Sequence, residues 1–123
     1  MNQLNGNTLA YLGDSVYEQV VREHLINKGV TKVDELHKQA ICYTSATGQM
    51  KAFEIIESIL DEEEIAVFKR GRNSESTRKP KNASLATYQK ATGFEALIGY
   101  LYLEKKHERL DSLLSKVFEN TGL

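Results

Sequence analysis

Two acidic residues interrupt segments that are otherwise built for a protein interior. Glu95 lies inside Phe94-Glu95-Ala96-Leu97-Ile98-Gly99-Tyr100-Leu101-Tyr102-Leu103, apolar almost all round, which is the pattern of a central buried helix. Asp14 lies inside Leu9-Ala10-Tyr11-Leu12-Gly13-Asp14-Ser15-Val16-Tyr17 and shares a helical face with Ala10, Val21 and Leu25. An unpaired carboxylate is costly to bury, so each needs a cation, a set of hydrogen bonds or a proton. Small residues accompany both: Ala10 and Gly13 near Asp14, Ala91 and Gly99 one turn from Glu95. They leave room for an ion or for close backbone approach. If the two carboxylates face one site, they can hold a hard divalent cation through oxygen. Structural readings stand beside this one. Gly13-Asp14-Ser15 can be a turn in which Asp14 or Ser15 caps a helix, and Glu95 can pair with an Arg or Lys across a bundle. Spacing alone leaves these alternatives open.

Charge distribution supplies a second candidate. The net charge of −1 argues at first against a polyanionic partner. Yet Lys69, Arg70, Arg72, Arg78, Lys79, Lys81 and Lys90 fall in one stretch opposed only by Glu75, so that stretch is +6 and the remainder −7. A solvated loop explains such a run, and so does a cationic segment that grips phosphates and releases their counterions.

The elements that must position these residues read as helices nearly throughout. Apolar residues recur at three- and four-residue steps, and a single proline, Pro80, disfavours a turn-rich β fold. The expected helices begin near Thr8 and end at Asn27-Lys28-Gly29, then run from a capping start at Thr31-Lys32-Val33-Asp34 to Tyr43, and from Ser45 to Leu60. A fourth opens at the acidic block Asp61-Glu62-Glu63-Glu64 and fades into Gly71-Arg72-Asn73-Ser74. Residues 74–83 read as a loop, Ser84 caps a long helix to about Lys105, and a last amphipathic helix carries Leu110, Leu113, Leu114, Val117 and Phe118. The expected architecture is a compact all-α helical bundle, one domain over residues 1–123.

Other chemistries find little support. His24, His37 and His107 lack zinc-protease spacing, and a lone Cys42, read as a small buried hydrophobe, excludes a cysteine-rich metal site. Gly71-Arg72-Asn73-Ser74 is no phosphate-binding P-loop, and Tyr100 and Tyr102 read as core packing rather than a base-stacking platform. No apolar run reaches the roughly 20 residues of a membrane span, the N-terminus lacks a secretion-signal layout, and one Cys fits a reducing cytoplasm.

With both acidic segments in view, the chain resembles the ribonuclease III family. Tyr11-Leu12-Gly13-Asp14-Ser15-Val16 is similar to the family's signature helix, and Phe94 to Leu103 is similar to its second acidic motif. The resemblance covers nearly the whole chain as a catalytic domain and leaves no length for the double-stranded-RNA-binding domain that usually follows. With Phe68-Lys69-Arg70-Gly71-Arg72-Asn73 and the basic loop, it is similar to the family's mini branch, Mini-ribonuclease III. Full-length members carry a Glu at the place of Ala10 and an Asp at the place of Thr92, and the mini branch shares the thinner set seen here.

The resemblance implies a homodimeric, Mg²⁺-dependent endoribonuclease cutting double-stranded RNA, with Asp14 and Glu95 as its catalytic, metal-binding carboxylates. It also implies a role in maturing the large-subunit (23S) ribosomal RNA precursor. Lys69, Arg70, Arg72, Arg78, Lys79 and Lys81 are the expected RNA-binding residues. The rival expectation is a non-catalytic ribonuclease-III-like RNA-binding module.

Overall fold

Six helices form over residues 4–74 and 84–120, the residues described by the computed structural model. Helix α1 (Gly6–Asn27) starts where the Asn5 side chain accepts a hydrogen bond from the Thr8 amide at 2.8 Å. It stops at Lys28, and Gly29 with φ +100° turns the chain away. Helix α2 (Val33–Thr44) departs from expectation at its start: Lys32 is the cap and contributes no side-chain hydrogen bond. Asp34 and Glu35 in its first turn instead meet the positive end of the helix dipole.

Ser45 closes α2 and opens α3 (Ala46–Ile56), its hydroxyl accepting from the Gly48 amide at 3.1 Å. The third helix ends earlier than its periodicity suggests, because Glu57–Ile59 tightens into a 3-10 turn. Helix α4 (Glu62–Arg72) begins with a reciprocal capping box between Asp61 and Glu64 and carries Lys69, Arg70 and Arg72 in its last turn. Helix α5 (Leu85–Leu103) is capped by Ser84, and α6 (His107–Asn120) follows Lys105, whose φ of 58° makes the corner.

The all-α bundle expected from the sequence is the one that forms. Helix α5 is its axis, with Phe94 and every residue from Ala96 to Leu101 buried. Around it, Leu9, Tyr17, Val21 and Leu25 of α1, Phe53 and Ile56 of α3, Val67 and Phe68 of α4, and Leu113 and Leu114 of α6 complete one core. Phe53 and Phe68 stack with ring centres 3.8 Å apart. Arg109 ties α6 to α4, donating from Nε and Nη2 to the buried Glu64 carboxylate at 2.8 Å and from Nη2 to the Ile59 carbonyl at 2.7 Å. That pairing holds the Glu64 carboxyl below its ordinary range.

Two expectations for single residues fail. Cys42 is exposed, because it lies on the outer side of α2 beyond the buried Ala40 and Tyr43. Tyr100 is buried as expected, but Tyr102, two positions on and so turned out of the core, is 45% exposed and edges onto His107.

Candidate active site

Helices α1 and α5 cross with their backbones almost touching, and two glycines permit it. A Cβ on Gly13 would overlap the Glu95 carbonyl and come within 2.9 Å of the Gly99 nitrogen. One on Gly99 would collide with the Leu9 carbonyl and come within 3.1 Å of the Gly13 nitrogen. Glycine in mid-helix costs about 1 kcal/mol against alanine, so this pair is justified only by the close approach. The crossing point is also where the two carboxylates arise, Asp14 directly after Gly13 and Glu95 one turn before Gly99.

The structure brings them together. Helix α1 is continuous through Gly13-Asp14-Ser15, which removes the turn reading; the Ser15 hydroxyl donates to the Leu12 carbonyl within the helix. Among the described residues no Arg or Lys lies within ion-pair distance of Glu95, which removes the cross-bundle pairing. Instead the Asp14 carboxyl lies beside that of Glu95, close enough to raise its pKa. Asp14 is exposed and Glu95 half-buried, so the pair forms the edge and floor of one shallow site. Desolvation, the hydrogen bond to Asp14 and the Asp14 charge together push the Glu95 carboxyl up to about 8, with Gln49 opposing them.

A pH dependence follows. Between the ordinary value of 4.5 and about 8 the folded protein holds the Glu95 proton more tightly than the unfolded chain does, so stability falls as pH rises through that window. Glu95→Gln removes the decline. Without divalent cations, its melting temperature should exceed the parent's by about 5 °C or more at pH 9 and by less than about 2 °C at pH 5. Parallel melting profiles for the two proteins would show that Glu95 is not held protonated.

Sequence reasoning missed a third member of the site. Gln49 of α3 is 2% exposed, and its Nε2 donates to Glu95 Oε2 at 3.1 Å and to the Thr44 carbonyl at 3.2 Å. Its only signal in the sequence is an amide among the apolar positions Ala52, Phe53 and Ile56 that α3 turns inward.

The donor set suits Mg²⁺. The described residues contain no cluster of three or more Asp, Glu, His or Cys side chains that could enclose a metal. Mg²⁺ needs no such cage, since it keeps several waters and is held by one or two carboxylates together with substrate phosphates. Asp14, exposed, and Glu95, half-buried beside it, are the residues that would hold it.

Of the basic residues, Lys69 is exposed at the end of α4. Arg70 donates to the Leu4 carbonyl at 2.8 Å, and Arg72 lies 5.9 Å over the Phe68 ring with its Nε on Asn73, so both also serve the fold. Gly71 packs against Gly93 and Ala96, which sets this end of α4 beside the turn of α5 that carries Glu95. Arg78, Lys79 and Lys81 lie outside the described residues.

Known proteins resemble this chain in sequence and in fold. The sequence profile of the Ribonuclease III domain matches residues 7–106. Mini-ribonuclease 3 of Streptococcus pneumoniae is 46% identical over 117 residues, covering 94% of this chain and 91% of that protein. Mini-ribonuclease 3 of Enterococcus faecalis is 43% identical over 122 residues, covering 98% and 92%. A crystal structure of a Fusobacterium nucleatum protein superposes with a TM-score of 0.89 at 31% identity, over 98% of both chains.

Proposed function

The chain belongs to the ribonuclease III family of endoribonucleases, and from that premise we propose that it is a Mg²⁺-dependent enzyme cutting double-stranded RNA. The observation that carries the metal requirement is the placing of two carboxyl groups, Asp14 and Glu95, beside one another at the crossing of α1 and α5. When bound, Mg²⁺ supplies acidity to a water molecule and neutralises charge on the scissile phosphate. The chain's own residues do the rest. Asp14, at the exposed edge, and Glu95, at the floor, fix where the cation and hence the phosphate sit. Lys69, Arg72 and the basic residues Arg78, Lys79 and Lys81 hold neighbouring phosphates, so recognition rests on A-form shape rather than base sequence.

We further assign the working form as a homodimer that cuts both strands. Tyr11, 84% exposed one turn before Asp14, and the half-buried Leu12 and Val16 give a second copy an apolar surface beside the site. We also propose the 23S ribosomal RNA precursor as substrate and the cytoplasm as the place of action, as the resemblance to the mini branch implies. No described helix is long and apolar enough to cross a membrane.

The test is cleavage of a long RNA duplex with and without Mg²⁺, against single-stranded RNA of the same sequence. Metal-dependent cutting of the duplex alone is expected. Salt-sensitive binding with no cutting would make the protein a non-catalytic RNA-binding module.

The grip has its own test. Replacing Arg78, Lys79 and Lys81 together by Ala should weaken duplex binding and flatten the dependence of log Kd on log salt by roughly 2. An unchanged slope would mean that these side chains do not meet phosphates.

A further inference from the structure

Gln49 is the one buried polar side chain at the site that neither binds the cation nor touches the RNA in the reading above, and its placement is too specific for filler. Its amide nitrogen has two protons, and both are used. The Thr44 carbonyl can only accept, so it is Nε2 rather than Oε1 that turns toward it, and the second proton of that nitrogen reaches Glu95 Oε2. The backbone corner that delivers the amide is itself tightly built. Ser45 caps α3 through the Gly48 amide, and a Cβ on Gly48 would overlap the Cys42 and Tyr43 carbonyls, so α2 and α3 meet with no slack one residue before Gln49. At 2% exposure the amide is screened from solvent, whereas Asp14 across the site is exposed.

We propose that Gln49 is a positioning residue for the metal centre: its amide donates to Glu95 Oε2 and so fixes the carboxylate rotamer that would meet the cation. The inference rests on the proposed metal-dependent activity. Groups that orient metal ligands in this way commonly affect metal affinity or activity by about 10- to 100-fold.

Three measurements test it. Mn²⁺ binding to the RNA-free protein, read by electron paramagnetic resonance, should weaken about 10-fold in Gln49→Met, which keeps length and volume but has no donor. In cleavage assays at fixed, sub-saturating Mg²⁺ the same variant should lose about 10- to 100-fold in kcat while KM for the duplex stays within about twofold. In the ¹⁵N-labelled parent the Gln49 side-chain amide signals should move on Mg²⁺ titration, and this movement should vanish in Glu95→Gln. A folded Gln49→Met with Mn²⁺ affinity and kcat within about twofold of the parent overturns the proposal. If that variant does not fold, Gln49 amide signals that ignore Mg²⁺ in the parent overturn it equally. A parent that binds Mn²⁺ and cuts RNA while Gln49→Met is unchanged refutes only the role of Gln49. A parent that does neither refutes the metal-dependent reading beneath it.

Discussion

Asp14→Asn lowers Mg²⁺-dependent cleavage of duplex RNA by about a thousandfold or more, equivalent to about 4 kcal/mol of lost transition-state stabilisation. Asn keeps the size of the side chain and suits a solvent-exposed position on α1, so the helix is preserved. What is lost is one of only two carboxylates at the site, and with it half of the protein's charge toward the cation. Duplex affinity measured with Ca²⁺ in place of Mg²⁺ should stay within about twofold, because phosphate contacts come mainly from the basic residues. At pH 9, where Glu95 is ionised, stability should rise rather than fall, since the substitution removes a negative charge beside it. Loss of activity joined to a gain in melting temperature marks a group kept for function at the expense of stability. Full activity in Asp14→Asn would refute the assignment.

The sequence made the elements legible because helix signals are local. Caps at Ser45, Asp61 and Ser84, the glycine stop at Gly29 and the apolar periodicity all act within a turn or two. Failures arose where a neighbour far along the chain decides. Cys42 is of a type usually buried, yet only the packing of α2 on α1 and α3 determines which of its faces is outside. Glu64 was legible as part of the acidic block that opens α4, but not as the partner of Arg109, a pairing set by the docking of α6.

The site was legible in part for the same reason. Asp14 and Glu95 announced themselves by being acidic in apolar surroundings. That they meet depends on the crossing of α1 and α5, and Gly13 and Gly99 hinted at it without specifying it. Gln49 gave almost no signal. An amide in a helix has many ordinary uses, and its meaning here comes from Glu95 and Thr44, which belong to two other helices. The near-neutral total charge misled for a related reason, because a sum erases placement. Acidic residues spread over the rest of the chain and basic residues gathered at and after the end of α4 cancel in the total although they lie apart in the sequence.

Gly13→Ala turns this crossing into a quantitative expectation, because two effects of opposite sign compete. On an open helix face the change is favourable by about 1 kcal/mol, through reduced backbone entropy in the unfolded chain. At Gly13 the new methyl would stand 2.7 Å from the Glu95 carbonyl carbon and 2.9 Å from the Gly99 nitrogen. Both are backbone atoms of a buried helix, so no side chain can swing aside and α1 must move off α5. Overpacking of this kind costs about 1–3 kcal/mol and occasionally more, so the net effect is destabilising by about 2 kcal/mol, or some 5–10 °C in Tm. The larger loss is in activity. Separating the helices parts Asp14 from Glu95 directly at the contact, and a displacement of about 1 Å at a reacting centre can cost about 100-fold in kcat. Gly29→Ala is the control. Its φ of +100° strains any side chain, but nothing lies within 4 Å of the added methyl and the site is remote in the fold. It should lose about 1–2 kcal/mol of stability with kcat unchanged below its melting range. If Gly13→Ala is stabilising, or if it cuts RNA as fast as Gly29→Ala, the carboxylates are not held together by the close approach of α1 and α5.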